Sequence, residues 1–183
     1  MLTFNFNQFP IIHTERLLLR EHSINDAGTL FKIRRNIDVM QYIHREQPQT
    51  IEEVETLITA INNGFEQRQT IAWVICLKEN PSEMIGSIGY WRTNLANYRA
   101  EIGYMISPEY WRKGLVSEAL RATVDFGFEE MNLHSIHGNI DPSNEASRRI
   151  LVKHGFVKEG YFKEDHYFNG KFLDSEIYSL LKK

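Results

Sequence analysis

Residues 101–120 read EIGYMISPEYWRKGLVSEAL, and the fold prediction starts from this stretch. The strand that we predict over Arg99–Ile106 ends in this stretch, and after Pro108 the spacing of the apolar residues changes. A helix ending near Asn132 is predicted because its apolar residues recur three and four positions apart: Val116, Ala119, Leu120, Val124 and Phe128. A basic segment with one glycine, Arg112-Lys113-Gly114, connects the two elements.

This connection has the features of an anion-binding site. The first N–H groups of a helix have no internal acceptor, and the helix dipole places partial positive charge on them. Arg112 and Lys113 would add charge, and Gly114 would let the backbone approach a phosphate without a Cβ in the way. A solvated loop with Ser117 as a cap is the alternative. The chain has no Gly-Lys-Ser or Gly-Lys-Thr, so no P-loop competes.

A second strand and helix follow this one. Ser135–Ile140 is predicted as a strand, and Asn144–His154 as a helix that stops at Gly155. Strand, helix and strand in this order form a βαβ unit, whose two strands are normally parallel. Farther on, Asn169-Gly170 predicts a tight hairpin between His166–Phe168 and Lys171–Leu173.

The first half of the chain predicts an antiparallel arrangement. Thr14–Arg20 is a short strand, and a helix is expected from Ser23, with Asp26 as its capping partner, to Asn36. Thr50 and Glu53 form a second capping pair, before a run with helical spacing from Ile51 to Phe65. Two polar turns connect three strands, Ile71–Leu77, Met84–Trp91 and Arg99–Ile106. We therefore expect one α+β domain over residues 1–183, with a mixed sheet that is antiparallel first and parallel in the middle.

Composition excludes several classes of protein. The chain has 183 residues, of which 42% are hydrophobic and 25% charged, and a net charge of −3, so neither a nucleic-acid binder nor a membrane-surface binder is indicated. No apolar run approaches the roughly 20 residues of a membrane span, and the N-terminus does not resemble a secretory signal. A cytoplasmic protein is expected. Cys76, the single cysteine, lies in the apolar strand and is predicted to be buried, and the seven histidines have no metal-ligand spacing, so no metal is assigned.

Two motifs together resemble the Gcn5-related N-acetyltransferase (GNAT) superfamily. The first is the segment before the helix at residue 115, which resembles the pyrophosphate motif Q/R-x-x-G-x-G/A of that family. The second is Asn144-Glu-Ala-Ser147, followed by Gly155-Phe156, which resembles its N-x-x-S…GF segment. The similarity extends from Thr14-Glu-Arg-Leu-Leu-Leu-Arg through Gly86-Ser-Ile-Gly-Tyr to Glu176-Ile-Tyr-Ser, and is closest to the subgroup that acetylates ribosomal-protein N-termini.

The sequence departs from the general motif at two positions. Trp111 replaces the usual Gln or Arg, as it does in that subgroup, and Val116 replaces the final Gly or Ala. A β-branched side chain at Val116 is expected to displace the phosphates slightly and to weaken coenzyme binding.

The resemblance implies a GNAT fold with a central splayed parallel pair of strands, and acetyl-CoA as the acetyl donor. The backbone of Tyr104, Met105 and Ile106 would pair with the pantetheine arm, and Asn144 would position the coenzyme. The pyrophosphate would lie against the residues that begin the helix: Arg112, Lys113, Gly114, Leu115, Val116 and Ser117. Backbone N–H groups released where the strands splay would stabilise an oxyanion.

Two further roles follow from where protons must go. The attacking amine must be neutral, so Glu101 is the candidate base, acting through water, and Ser147 is the candidate acid toward the thiolate. A surface carboxylate paired with Arg99 is the alternative for Glu101, and a helix-surface hydroxyl the alternative for Ser147. Asn144 could equally be a simple helix cap.

The acceptor is the least determined part of this interpretation. The resemblance implies direct attack by a primary amine, first the N-terminal amine of a ribosomal or other protein and, as the alternative, a small molecule such as a polyamine, aminoglycoside or amino acid. A non-catalytic acyl-CoA-binding module is the third possibility. The resemblance also implies a monomer or homodimer. Tyr90 and Trp91 are expected to wall the acceptor channel, unless they belong to the core. Residues 1–91 hold 8 Lys or Arg against 11 Asp or Glu, whereas residues 92–183 hold 13 of each, which suggests a basic acceptor.

Overall fold

In the computed structural model, which describes residues 6–183, eight strands form one sheet. In chain order the strands are β1 (Ile12–His13), β2 (Leu17–Arg20), β3 (Ile71–Leu77), β4 (Gly86–Asn94), β5 (Arg99–Ile106), β6 (Ser135–Ile140), β7 (Val157–Phe168) and β8 (Lys171–Leu181). Their order across the sheet is β1-β2-β3-β4-β5-β6-β8-β7.

Five α-helices pack on this sheet in the described part of the chain. They are α1 (Ala27–Arg35), α2 (Ile37–Met40), α3 (Ile51–Glu66), α4 (Leu115–Glu129) and α5 (Glu145–Lys153). The capping box that Ser23 and Asp26 predict is present, although a short 3-10 turn precedes α1. The Thr50 side chain accepts from the Glu53 amide at 3.3 Å, as the sequence pattern predicts for α3.

The sheet has the mixed pairing that the sequence predicts. Every neighbouring pair of described strands is antiparallel except β5 and β6, which are parallel. This parallel pairing is short, because it joins only Arg99–Glu101 of β5 to Ser135–His137 of β6. Beyond these residues the two strands separate, while β5 continues to pair with β4 as far as Ile106.

The helices cover both faces of the sheet. Alternate residues of β3 point to opposite faces, so Trp73 and Ile75 join a core cluster with α4, whereas Val74 and Cys76 pack against α1 and α3. Cys76 is fully buried, as expected, and burial raises the pKa of its thiol.

The structure extends the hairpin near the C-terminus well beyond the predicted segments. The sequence indicates strands only next to Asn169-Gly170, but β7 and β8 run for 12 and 11 residues. Nearly every residue of β7 is exposed, so the strand has no alternation of buried and exposed positions that a sequence pattern could reveal.

Candidate active site

A cavity of about 670 Å³ opens where β5 and β6 separate. Residues of β4, β5 and β6 form one wall, and α1 and α3 face them from the other side. The β7–β8 hairpin and the segment that follows α2 close the remaining sides. The cavity therefore lies where neighbouring strands β5 and β6 are no longer paired.

Glu101 lies on this wall and is the last residue of β5 that pairs with β6. Its Oε2 accepts from Arg92 Nη1 at 3.0 Å and lies 3.7 Å from His137 Nε2. Burial alone would raise the pKa of Glu101, but the hydrogen bonds and charges of His137 and Arg92 outweigh it and lower that pKa. Glu101 is thus an ionised carboxylate inside the cavity, and its partners are not the Arg99 that we considered as the alternative.

A β-bulge shapes the wall beside Glu101. Tyr90 pairs with Ile102 and Arg92 pairs with Glu101, so Trp91 is an extra residue in β4. The Trp91 indole lies over Gly103, where a Cβ would approach its ring to 2.9 Å, and Nε1 donates to the Gly103 carbonyl at 3.3 Å. Trp91 lines the cavity, as expected.

Tyr90 does not line the cavity, so the expectation that it walls the acceptor channel is wrong. Its side chain is fully buried on the α4 face of the sheet, and its hydroxyl donates to the Thr123 carbonyl at 2.8 Å. Tyr90 thus points to the α4 face of the sheet and Trp91 to the cavity face.

Ser147 and Asn144 meet the cavity from the first turn of α5. Asn144 Oδ1 accepts from the Ser147 amide at 3.0 Å, so Asn144 is the cap of this helix. Tyr104 also lines the cavity, and its buried hydroxyl has no hydrogen-bond partner in the described part of the chain. Burial raises the pKa of Tyr104 to about 12, an effect that the Ser147 hydroxyl opposes. Met105 lies beside them on the same wall.

The segment at residues 112–117 lies outside the cavity, at the start of α4. Gly114 has φ +76°, a left-handed conformation that favours glycine, and Arg112 has φ 60°. The Glu118 amide is bonded to the Gly114 carbonyl, whereas the amides of Leu115, Val116 and Ser117 have no acceptor among residues 6–183. These three N–H groups form the free helix start that the sequence predicts.

Arg16, from the turn before β2, holds this segment in place. Its amide and Nε both donate to the Glu118 carboxylate, at 2.8 and 2.7 Å, and its Nη1 donates to the Lys113 carbonyl at 3.0 Å. Burial acts to raise the pKa of Glu118, but bonds from Thr14 and Arg16 outweigh it and lower that pKa. Lys113 Nζ lies 5.1 Å from the ring centroid of Tyr110, where a cation–π contact is possible.

Three of the predicted coenzyme-binding residues have other contacts as well. Ser117 Oγ lies 2.8 Å from His154 Nε2, which links α4 to the end of α5. The Ile106 carbonyl accepts from the Trp111 indole at 3.0 Å, so this acceptor already has a partner. Val116 packs against the hydrophobic core, and the weaker coenzyme binding expected from it stays a prediction.

The acid excess of residues 1–91 does not reach the cavity, because no carboxylate among the described residues of that half of the chain lines it. Glu52 and Glu53 are exposed on α3, and Glu53 accepts from the Gln49 amide at 2.9 Å. The carboxylates that line the cavity are instead Glu101, Asp141, Asp165 and Asp174. Apart from Glu101, they follow β6 or lie in the β7–β8 hairpin, whose full length the sequence did not indicate.

Sequence reasoning also missed His22 and Ser87, which line the same cavity. His22 Nε2 is 3.2 Å from Ser87 Oγ, and burial lowers the pKa of His22 to about 4, so the ring is neutral. His137 was missed as well, although the register of a parallel βαβ unit places it beside Glu101. Within residues 6–183, no group of three or more His, Cys, Asp or Glu side chains is placed to hold a metal ion. No helix in that range is long and apolar enough to cross a membrane.

Comparisons with known proteins agree with this architecture. The family model described as an acetyltransferase (GNAT) domain matches residues 16–157. The chain is 37% identical over 174 residues to the uncharacterized N-acetyltransferase YoaA of Bacillus subtilis, which covers 95% of this chain and 98% of that protein. It is 25% identical over 170 residues to the spermidine N(1)-acetyltransferase of Vibrio cholerae, covering 92% of this chain and 95% of that protein.

Among solved structures, the fold is similar to that of RimL, a ribosomal alpha-N-protein acetyltransferase solved in complex with coenzyme A. The TM-score is 0.84 at 20% sequence identity, over 94% of this chain and 98% of the other. The GNAT fold expected from the sequence is thereby confirmed.

Proposed function

Because the chain belongs to the GNAT family of N-acetyltransferases, we propose that it transfers acetyl from acetyl-CoA to the α-amine of a protein N-terminus. The observation that carries this choice of acceptor is the environment of Glu101. It is an ionised carboxylate with a lowered pKa, held by Arg92 inside the cavity. Such a group accepts a proton, but it is a weak base.

A weak base suits an amine that needs little help to lose its proton. The pKa of a protein α-amine is about 7.7–8.0, against about 10.4 for a lysine side chain. Near neutral pH a substantial share of an α-amine is already neutral. Glu101 then has only to receive, directly or through a water, the proton that attack releases. Its lowered pKa therefore supports an α-amine in preference to a lysine-like one.

The chain also offers a proton donor across the cavity. The Ser147 hydroxyl lies in the first turn of α5, on the same cavity as Glu101. Its backbone is fixed by Asn144, which keeps this turn in a defined position. Ser147 is our candidate to donate a proton to the leaving sulfur, and the unpartnered Tyr104 hydroxyl is near enough to influence it.

The residues present fit acetyl-CoA, which would supply the acetyl group as a thioester. From Ile102 to Ile106, β5 lacks a strand partner on its β6 side, so its backbone there can pair with an extended chain. The exceptions are the carbonyls of Gly103 and Ile106, which already accept from indole N–H groups. The free amides of Leu115, Val116 and Ser117 suit a phosphate group, with Arg112 beside them. Coenzyme A in the RimL structure supports this assignment.

A small-molecule amine is the second candidate acceptor. The volume of about 670 Å³ falls within the range of about 300–1,000 Å³ that is usual for small-molecule sites. The relative named as a spermidine acetyltransferase also supports this alternative.

Release of coenzyme A thiol, measured with a panel of peptides and a panel of polyamines, tests the proposal. We expect peptides with free N-termini to stimulate release, and the same peptides with acetylated N-termini to be inactive. Stimulation by small amines alone would rule out a protein acceptor. Stabilisation by acetyl-CoA without turnover of any amine would rule out the enzymatic proposal.

A further inference from the structure

Two arginines reach the cavity from its helical side, and neither has an anionic partner. Arg34 lies in the last turn of α1, four residues after Leu30, so both side chains lie on the helix face that lines the cavity. Arg45 lines the same cavity from the segment between α2 and α3. Within residues 6–183, no carboxylate lies within 4.0 Å of either guanidinium, and neither side chain makes a hydrogen bond.

The environment of Arg34 makes this arrangement costly without a ligand. The side chain is half-buried, and burial first, then the charge of Arg45, lowers the pKa of Arg34. A guanidinium out of water normally has an acid or a carbonyl beside it. Here the charge that acts on Arg34 is that of a second cation, Arg45. An anion bound by both arginines would offset the cost of burying the Arg34 charge and the repulsion between the two cations.

The acidic side chains of the cavity, in contrast, already have donors. Glu101 accepts from Arg92, and Asp174 accepts from the Glu164 amide at 2.8 Å and from the Tyr161 hydroxyl. Asp165 accepts from the Ser175 hydroxyl at 2.8 Å.

Asp141 completes this set of carboxylates. It accepts from the Ser143 amide at 2.7 Å and lies 3.2 Å from His44 Nε2. The side chains of Arg34 and Arg45 therefore lack partners among residues 6–183, whereas the carboxylates of the cavity, which outnumber its arginines, keep their negative charge but each accept at least one hydrogen bond.

We propose that Arg34 and Arg45 bind a carboxylate carried by the acceptor, so that the enzyme selects an amine with an acidic group over an uncharged or polycationic amine. This inference rests on the acetyl transfer of the proposed function and adds a carboxylate to the chemistry of the acceptor. The planar fork of a guanidinium matches the two oxygens of a carboxylate, which makes this group the natural ligand of the pair. A polyamine has no anion to offer and would add positive charge beside Arg34. The carboxylate can be the α-carboxylate of a free amino acid or the side chain of an acidic residue close to a peptide N-terminus.

Two matched pairs of acceptors distinguish these sources in an assay of coenzyme A release. One pair is an amino acid and its C-terminal amide, and the other is a peptide beginning Ala-Glu and the same peptide beginning Ala-Gln. We expect one pair to show a preference for the carboxylate of about tenfold or more in kcat/KM, arising mainly from KM, as is typical of hydrogen bonds to a charged group. Equal rates within both pairs would overturn the inference.

Variants then locate the preference. Arg34→Gln and Arg45→Gln should each reduce the ratio of kcat/KM between carboxylate and amide toward one, and Arg34→Lys should retain part of the preference. The control Arg35→Gln, at an exposed neighbouring position of α1, should leave the ratio unchanged. A preference that survives Arg34→Gln and Arg45→Gln would overturn the inference. So would a loss of acetyl-CoA affinity in these variants, because the arginines would then serve the coenzyme.

A binding measurement separates this inference from the proposed function. In at least one of the two pairs, the carboxylate member should raise the melting temperature of the wild type more than its amide does, and Arg34→Gln should abolish the difference. If no amine is acetylated but this difference is present, the proposed function fails and the anion site stands. If amines are acetylated with neither a carboxylate preference nor this difference, the anion site alone fails.

Discussion

Arg99 Nε donates to His137 Nδ1 at 3.0 Å, and this bond determines how the histidine faces Glu101. A guanidinium has no acceptor, so Nδ1 is the acceptor of this bond and Nε2 is the ring nitrogen that carries a proton. That nitrogen lies 3.7 Å from Glu101 Oε2. The parallel register, which pairs Glu101 with His137, thus places an N–H group toward the carboxylate.

Replacing His137 should make Glu101 more basic. His137→Phe keeps a ring but removes the N–H that lowers the pKa of Glu101, so this pKa should rise toward or above its ordinary value. An NMR titration of the carboxyl group would measure the shift, with the exposed His134→Gln as the control. An unchanged titration would show that His137 does not lower the pKa of Glu101 and that Arg92 accounts for the shift.

Removing the Glu101 carboxylate should slow turnover without affecting the coenzyme. We expect Glu101→Gln to lower kcat by about 10²–10⁴, the usual contribution of a general base. Stabilisation by acetyl-CoA in a thermal unfolding assay should be retained, and Glu129→Gln, at an exposed position of α4, should match the wild type. A rate equal to that of the wild type would remove Glu101 from the mechanism.

The pH profile of the wild type provides a separate test of the acceptor. Because its pKa is lowered, Glu101 is ionised above its ordinary range near 4.3–4.5, and its charge is lost only as the pH falls through the lowered value. The rise of kcat/KM at neutral pH should therefore follow the amine, with a midpoint near its own pKa, about 8 for a peptide α-amine. A midpoint that is the same for amines of different pKa would contradict this expectation.

Gly114 and Gly155 offer a matched pair for testing the phosphate site. Both have left-handed φ values, +76° and +84°, and an added Cβ would meet only one side-chain atom at 3.6 Å in each case. Gly114→Ala and Gly155→Ala should therefore lose similar stability, about 1–2 kcal/mol, from the backbone conformation. Only Gly114→Ala should also weaken acetyl-CoA binding. Equal coenzyme affinity in the two variants would argue against a phosphate site at the start of α4.

Asn144 tests how far helix capping positions Ser147. Asn144→Ala should destabilise the protein by about 1 kcal/mol, because the Ser147 amide loses its acceptor, whereas Asn144→Asp should retain most of the stability. Chemical denaturation would measure both changes. If Asn144→Ala unfolds at the wild-type denaturant concentration, the cap contributes nothing in solution.

The buried position of Tyr90 leads to a prediction about a glycine on α4. A Cβ at Gly127 would overlap the Tyr90 hydroxyl oxygen, so Gly127→Ala should destabilise the protein by about 1–3 kcal/mol, although alanine favours helices. Tyr90→Phe removes that oxygen and should restore part of the loss. Additive free energies of unfolding in the double variant would contradict this packing.

The parts of this structure that follow local rules could be predicted from the sequence. The Thr50 cap and the periodic apolar residues define α3, and the strand–helix–strand order defines the parallel pair. The bulge at Trp91 could not be predicted, because it depends on the pairing of β4 with β5. The presence of Arg34 and Arg45 at one cavity could not be predicted either, since it results from how α1 and the segment after α2 pack over the sheet.

The three-residue pairing of β5 with β6 also has a mechanical consequence. It is the only backbone ladder among the described strands that joins the five-stranded half of the sheet to the three-stranded half. The cavity begins where this short pairing ends. A ligand that hydrogen-bonds to both β5 and β6 where they separate would act as an additional cross-link between the two halves. A ligand in the cavity should then stabilise the whole sheet. Loss of the ligand should let the two halves of the sheet separate before either half unfolds.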